Sequence, residues 1–365
     1  MKINSLTNCF KGCLPGKMPV HRWKFIAIVV AILQCLYLPA LAQHHAHDST
    51  YYSEFNEELI LRVYTPLQFQ NVELEPLPAT GDKYAFYPNN NIRLGAGFTY
   101  KWLSANLAVS AFPFFQSLTD SSRSKTLRLQ TTAYGRTALT DLFLRYTTGF
   151  YQLDESANPF ALKQFKPNMV MAQVGGKYEY MTNWKRFSLR GAFYQNEIQL
   201  KSAGSPLVGV EALYSRVKDE KDLLPITDDF GDLSHFNRVR VFGVGPLAGY
   251  GYTLVPLKRI FVTATASAGY NAQFVKIEGI DGNTSLFEWK PQFNYRFAAG
   301  YTGEKISFGF FANNNRHFWE TAAYKFKLRN DQYRVYLTYR FLPGPSLKRI
   351  LSPVDLVERV SNYNQ

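Results

Sequence analysis

Eight basic residues of this chain share one spacing rule. Each lies on the polar side of a segment in which polar and apolar residues alternate, as neighbouring side chains of a β-strand do. The set comprises Arg93, Arg128, Arg145, Lys177, Arg190, Arg296, Arg334 and Arg340, with Glu179 as one of the few acids beside them. Positive side chains gathered on one face of a sheet would attract anionic solutes.

The alternation is clearest between Met169 and Met181, which reads M-V-M-A-Q-V-G-G-K-Y-E-Y-M. One face of this strand is apolar with tyrosines at its end, and the other face is polar. After a turn over 183–186, a second strand is predicted from Phe187, with Arg190 on its polar face. Repetition of this pattern predicts about 12 strands, with a range of 10–14, between residues 58 and 341. Strands of this length cross a hydrocarbon layer when they are tilted.

The predicted fold is all-β: a closed antiparallel transmembrane β-barrel whose apolar rows face lipid and whose polar rows face the lumen. Aromatic residues make up 16% of the chain, with 24 Tyr and 29 Phe, and tyrosines at strand ends are typical of an aromatic girdle. The alternative is a soluble β-sandwich or lipocalin-like barrel, in which the apolar rows would face a core. The polar rows are rich in Gly, Ser and Thr, which favours a crowded lumen.

Residues 1–42 have the features of a cleaved signal peptide. Basic residues precede the apolar run that starts at Phe25, and Ala40-Leu41-Ala42 provides a cleavage pattern. All three cysteines, Cys9, Cys13 and Cys35, lie in this leader, so the mature chain has no disulfide. Residues 43–57 are expected to form a flexible N-terminal segment, and 342–365 a tail with a short helix from Ser352. These features predict export to the outer membrane of a Gram-negative envelope.

The histidines give little indication of a metal or a catalytic site. His44, His45 and His47 lie in the N-terminal segment, where they are a solvated tail or a transition-metal ligand set. A barrel-embedded lipid hydrolase would need a nucleophile and a base, and only His235 and His317 remain elsewhere in the predicted mature chain. The chain has no phosphate-binding loop, dinucleotide fingerprint or zinc spacing. We therefore predict no catalytic residue, no metal, no cofactor and no nucleic-acid partner.

Two functions remain open for the predicted basic lumen. One is a porin-like pore or a binding cavity for small anionic solutes, since a lumen of one sign favours counter-ions. The other is a barrel filled by its own side chains, in which the arginines pair with acids on neighbouring strands. Such a barrel would have a structural or partner-docking role in contact with outer-membrane lipid. Envelope proteins would bind it through the predicted loops at 218–237 and 278–289 or through the tail.

Four segments resemble an uncharacterised family of Bacteroidetes envelope proteins that is known only as a domain of unknown function. They are Tyr87–Lys101 (Y-P-N-N-N-I-R-L-G-A-G-F-T-Y-K), Tyr134–Arg136, Ala192–Ser205 (A-F-Y-Q-N-E-I-Q-L-K-S-A-G-S) and Gly249–Thr253 (G-Y-G-Y-T). The resemblance covers most of the mature chain and implies an outer-membrane β-barrel. It implies no activity, substrate or site residue.

Overall fold

The computed structural model describes residues 47–55, 57–77, 83–88, 93–101, 103–110, 124–154, 162–220, 223, 236–279, 282–320 and 324–363. The predicted signal peptide, His44, His45 and His235 lie outside the described residues. The fold is all-β, as predicted. Its strands are β1 (Tyr52–Glu54), β2 (Leu59–Pro76), β3 (Tyr84–Tyr87), β4 (Arg93–Tyr100), β5 (Leu103–Ser110), β6 (Lys125–Tyr134), β7 (Ala138–Asp154), β8 (Leu162–Met181), β9 (Glu197–Gln199), β10 (Ala203–Lys218), β11 (Phe236–Leu257), β12 (Ile260–Gly279), β13 (Gly282–Thr302), β14 (Ile306–Glu320) and β15 (Tyr324–Phe341). The helices are α1 (Leu189–Phe193) and α2 (Pro345–Tyr363).

The long strands close into an antiparallel barrel. Neighbours in sequence pair in turn from β10 to β15, and β15 returns to pair with β2 from Phe341↔Leu59 to Tyr324↔Pro76. On the other side, β8 pairs with β7, and the short β3 links β7 to β2. These pairings form a closed ring of ten strands. Two further strands, β4 and β5, extend from β2, and β6 pairs with β7. The predicted closed barrel of 10–14 strands is confirmed.

The strands follow from the period-two pattern of the sequence. In β12, Thr263, Thr265 and Ser267 are buried, while the residues between them are exposed. Branched and aromatic residues on the outer row favour the extended conformation. One irregularity lies in β7, where the register shifts between Thr148 and Phe150. Gly149 between them has φ 78°, a conformation that glycine adopts without steric cost and that is typical of a β-bulge.

The two ends of the barrel differ. We call one the turn end, because both termini of the barrel lie there, together with short connections at 135–137, 258–259 and 303–305. The opposite end is the loop end, where strands are joined across 111–123, 155–161 and 219–235. Some predicted loops are shorter in the structure. The segment from Glu278 to Trp289 was predicted as a loop, but β12 and β13 pair through it as far as Gly279↔Gly282.

The interior of the barrel has three layers. Apolar side chains fill the turn end around α1, and a second apolar cluster fills the loop end. The loop-end cluster contains Val72, Leu74, Phe86, Phe150, Met169, Met171, Val239, Val275, Ile277, Trp319, Phe326 and Leu328, among others. Between these two layers the inward side chains are mainly polar or charged. Burial of apolar surface inside both ends stabilises the fold. The polar layer between them contains the side chains that could bind a ligand.

The C-terminal tail forms a longer helix than was predicted. Helix α2 begins at Pro345 rather than near Ser352, and Pro353 lies within it. Its residues Leu351 and Val354 pack against Leu59 and Tyr100 at the turn end. Among the described residues, neither helix has the length and apolar character needed to cross a bilayer.

Candidate functional site

The inward and outward rows of side chains are those predicted from the alternation of polar and apolar residues along each strand. On β8, Val174 and Tyr178 are 49% and 46% exposed on the outer surface, whereas Gln173 and Lys177 are 2% and 4% exposed. The same sorting holds on β10 to β15, where the outer row carries many exposed apolar and aromatic side chains. The apolar row of each strand therefore faces outward, and the polar row faces an enclosed interior. This arrangement contradicts the soluble β-sandwich or lipocalin-like barrel, in which the apolar rows would face a core. The predicted basic residues divide into three groups inside this lumen.

The first group is an ionic cluster that crosses the lumen. Arg296 on β13 donates from Nη1 to Oε2 of Glu179 on β8, at 2.9 Å, and also contacts Asp141 on β7. Lys177 Nζ lies 3.4 Å from Glu179 and 3.8 Å from Asp141. Because β13 is not adjacent to β7 or β8 in the sheet, these contacts join opposite walls. We call these four residues the ionic cluster, and its formal charge is zero.

A second polar bridge lies beside the ionic cluster. His317 Nε2 on β14 is 2.6 Å from Glu211 Oε1 on β10, and Asn294 on β13 donates to the other oxygen of this carboxylate at 3.0 Å. All three side chains are buried. Asp141 and Glu211 were not singled out from the sequence, although their parity places both on the inward row.

The turn end of the lumen is closed by a plug, which we define as residues 47–55 and 182–202. Strand β1 pairs with β9 from Tyr52↔Gln199 to Glu54↔Glu197. The apolar side of the plug packs Phe187, Leu189 and Phe193 against the inner wall. Residues 47–55 thus form folded structure where a flexible segment was expected. Burial raises the pKa of the Tyr52 phenol, with a smaller contribution from Glu197, so this hydroxyl remains protonated.

The second group of basic residues holds the plug in place. The prediction of a strand from Phe187 is wrong, because Arg190 lies in helix α1 inside the lumen. Its Nη1 is 3.2 Å from Glu197 Oε1. The segment forms a helical turn because Ser188 caps it by accepting from Gly191 N. Arg340 on β15 donates to the carbonyl of Gln195 at 2.9 Å.

Two more inward arginines contact the plug or the apolar wall near it. Arg62 on β2, which was not among the predicted site residues, donates to the carbonyl of Tyr194 at 2.8 Å. The alternation along β2 places Arg62 on the inward side, and this signal could have identified it. The guanidinium of Arg334 lies over the rings of Tyr64 and Phe311, at 5.3 and 4.7 Å from their centroids. Arg334 therefore packs against aromatic faces.

The third group lines a cavity in the polar layer, which we call the arginine cavity. Its volume is about 310 Å³, including solvent at its mouth. Arg128 and Arg145 line it. Arg93 is half-buried on β4 outside this lining, and its positive charge repels that of Arg128. Amide side chains supply most of the remaining polar lining. These are Gln68, Gln70, Gln130, Asn313, Asn315, Asn330 and Gln332, and the lining also includes Asp331, whose carboxylate contacts Arg316 and Arg329.

The partners within this cavity are incomplete. Arg145 Nη2 is 3.5 Å from Gln130 Oε1, and its guanidinium lies 4.2 Å from the centroid of Phe143. Among the described residues, no carboxylate lies within 4.0 Å of Arg145, which is 8% exposed. The side chain of Asn330 is buried, and neither its oxygen nor its nitrogen is hydrogen-bonded to a described residue; the same holds for Asn313 Oδ1. Buried polar groups are normally paired, so this cavity is suited to a polar ligand.

A family model described as a domain of unknown function, DUF4421, matches residues 46–341. The chain belongs to this family. The match extends from the plug to the end of β15, so the DUF4421 domain comprises the whole barrel with its plug. A comparison with curated proteins found no match.

Solved structures of similar fold are barrels with very different sequences. The outer-membrane protease OmpT from Escherichia coli is 8% identical, with a TM-score of 0.37, over 79% of this chain and 98% of its own. The translocator domain of the autotransporter NalP from Neisseria meningitidis is 12% identical, with a TM-score of 0.32, over 86% and 97%. The toluene transporter TodX from Pseudomonas putida is 7% identical, with a TM-score of 0.23, over 77% and 89%. These similarities concern the fold alone.

Proposed function

We propose that this DUF4421 protein is a closed outer-membrane barrel that binds a small polar anion in the arginine cavity. The observation that carries the proposal is the buried guanidinium of Arg145, which has no carboxylate within 4.0 Å among the described residues. An unpaired buried charge is costly. A bound carboxylate, phosphate or sulfate group would lower this cost through charge-assisted hydrogen bonds.

The outward row supports the membrane location. Large side chains such as Val63, Leu129, Tyr270 and Val335 are more than half exposed, and a belt of this kind is unfavourable in water. In lipid, a closed barrel satisfies its backbone hydrogen bonds within itself. Outer-membrane barrels have short periplasmic turns and longer extracellular loops, so the turn end with its plug faces the periplasm and the loop end faces the exterior.

The amide side chains define the rest of the ligand. Asn313 and Asn330 have unpaired oxygens, and Asn330 also has an unpaired amide nitrogen. Oxygens of this kind accept hydrogen bonds from hydroxyl or amide groups, and the nitrogen donates one. The ligand class is therefore a small anion that also carries hydroxyl groups, such as a sugar acid or a sugar phosphate.

Calorimetry in detergent with galacturonate, glucose 1-phosphate and glucose tests this function. We expect the two anions to bind and neutral glucose to bind at least tenfold more weakly, a difference of about 1.4 kcal/mol. The Arg145→Gln variant should lose at least tenfold in affinity. The Lys327→Gln variant, which removes one positive charge from the outer wall, should bind as the wild type does. Absence of heat with both anions, together with an unchanged melting temperature, would overturn the proposal.

A plugged structural or partner-docking barrel is the second candidate. The neutral ionic cluster and the buried plug favour it, because both use inward charges to hold the protein together rather than to conduct ions. Under either candidate function, we expect no ion conductance when the protein is inserted into a planar bilayer. Steady anion-selective conductance would instead support the pore. Co-purification with envelope proteins that is lost on removal of 342–365 would favour docking through the tail.

We propose no enzymatic role. His317 is 2% exposed and its Nε2 lies 2.6 Å from Glu211 within the polar layer, so it has no access to lipid. The purified protein should not hydrolyse phospholipid. Turnover that disappears in the His317→Ala variant would contradict this.

A further inference from the structure

The outer wall carries an aromatic row across four neighbouring strands near the loop end. The pairing register places Tyr214, Phe242, Phe274 and Phe287 side by side on β10 to β13. All four are substantially exposed, Phe274 and Phe287 by 57% and 54%. The rings of these two residues lie 4.9 Å apart. Aromatic side chains at this position in a barrel mark the boundary between hydrocarbon and headgroups.

Basic side chains follow directly on the loop side of this row. The register aligns Arg216 with Arg240 and Arg240 with Lys276, each two residues beyond an aromatic residue on its own strand. Two residues later, Lys218 is aligned with Arg238. A strand advances about 3.3 Å per residue, so the first basic row lies roughly 7 Å above the aromatic rings. We call these five basic residues the basic wall patch.

The charges of this patch are not balanced. Glu278 is its one acidic partner among the described residues: Arg238 lies 2.6 Å from it, Lys276 lies 3.8 Å from it, and Arg240 also contacts it. The side chains of Arg216 and Lys218 have no hydrogen bond or ion pair with the described part of the chain. Nearby Asp219 lies 3.5 Å from Lys166, and Glu220 accepts from Asn168. The patch therefore has a formal excess of four positive charges.

The opposite side of the same wall shows that such an excess is not a general property of the loop end. On β15, Lys327 and Arg329 lie 2.9 and 3.0 Å from Glu73 of β2. Arg329 and Arg316 also contact Asp331. Basic side chains there alternate with acids across the strands. Of these two sides of the outer wall, the excess of positive charge lies on β10–β12, directly above the aromatic row.

We propose that the basic wall patch binds the phosphate groups of a lipid in the loop-end leaflet. Arginine's planar guanidinium suits phosphate oxygens, and the side chains of Arg238 and Arg240 are 32% and 37% exposed on the outer wall. The acyl chains of the same lipid would lie against the aromatic row. A lipid fits this surface better than free phosphate, because it supplies an anion and apolar chains at the observed spacing.

Diphosphoryl lipid A in mixed micelles is the probe, with binding measured by native mass spectrometry and by thermophoresis. The triple variant Arg216→Gln, Arg240→Gln, Lys276→Gln should lose at least tenfold in affinity. The matched control is Lys325→Gln, Lys327→Gln, Arg329→Gln, which removes the same charge from the balanced side. It should stay within twofold of the wild type. Monophosphoryl lipid A should bind the wild type more weakly than the diphosphoryl form.

Three outcomes would overturn the proposal: no binding by the wild type, equal losses in both triple variants, or inorganic phosphate binding as tightly as lipid A. Folding of each variant is checked by heat modifiability in gel electrophoresis and by circular dichroism. If the patch variant failed to fold, the single change Arg216→Gln would replace it, since this guanidinium has no partner to lose. Binding to the wall and binding in the arginine cavity use different residues, so either can fail alone.

Discussion

The ionic cluster and the basic wall patch use the same kinds of side chain in opposite ways. Inside the lumen, Arg296 and Lys177 are matched by Asp141 and Glu179, and all four are buried. On the outer wall, three of the five basic residues of the patch share Glu278, and none of the five is buried. An enclosed interior tolerates charge only when it is neutralised. At the headgroup level, water and lipid can supply the missing anion.

The largest expected effect comes from breaking the neutrality of the interior. Arg296→Met leaves two buried carboxylates with only Lys177, and we expect a loss of about 3–5 kcal/mol in the free energy of unfolding, as is usual for a broken buried pair. Reversible urea unfolding in lipid vesicles measures it. The double variant Arg296→Met, Glu179→Gln should recover part of the loss, because it restores formal neutrality. A loss below about 1 kcal/mol in the single variant would show that water reaches the cluster.

Removing apolar contacts of the plug should have a somewhat smaller effect. Phe193 is 1% exposed and packs against Tyr134 and Phe311, with ring centroids at 5.0 and 5.5 Å. Phe193→Ala should cost about 3 kcal/mol or slightly more, the range for a large buried aromatic. Near-ultraviolet circular dichroism and urea unfolding report it. The exposed Phe274→Ala variant serves as control and should change stability far less. Equal losses in both would mean that the plug is loosely packed.

The smallest effect on stability is expected at the basic wall patch, where positive charges already exceed negative ones. Glu278→Gln removes the acid of the basic wall patch, and partly exposed ion pairs contribute little, so unfolding should shift by less than about 1 kcal/mol. Affinity for diphosphoryl lipid A should rise about two- to threefold, because the positive field increases. Glu73→Gln on the balanced side should leave this affinity unchanged. Weaker lipid binding in Glu278→Gln would indicate that Glu278 orients the arginines rather than opposing the lipid.

Much of the barrel could be predicted because β-strand side chains alternate. That single rule placed Lys177 and Arg296 inside and the tyrosines of β8 outside. It could not reveal the pairing of Arg296 with Asp141, which depends on how far the sheet curves before it closes. The excess charge on the wall was also missed, because Arg216 and Arg240 become neighbours only through the register of β10 and β11.

The plug was the main error, and it has a physical reason. Residues from Phe187 to Gln195 alternate well enough for a strand, yet they form α1 and a turn in which Gln195 has φ 57°. Contacts with residues distant in sequence determine this conformation: β9 pairs with β1, and the carbonyl of Tyr194 accepts a hydrogen bond from Arg62. Local pattern contains no information about those contacts. The same limitation hid the arginine cavity, whose lining comes from three separate parts of the chain: β2, β6 with β7, and β14 with β15.

The pairing of β1 with β9 connects two distant parts of the barrel wall. Strand β1 directly precedes β2, where the barrel closes against β15, and β9 directly precedes β10. Strands β2 and β10 are not neighbours in the sheet. The plug is therefore attached to the wall at two separated points, and it should resist a change in the cross-section of the barrel at this end.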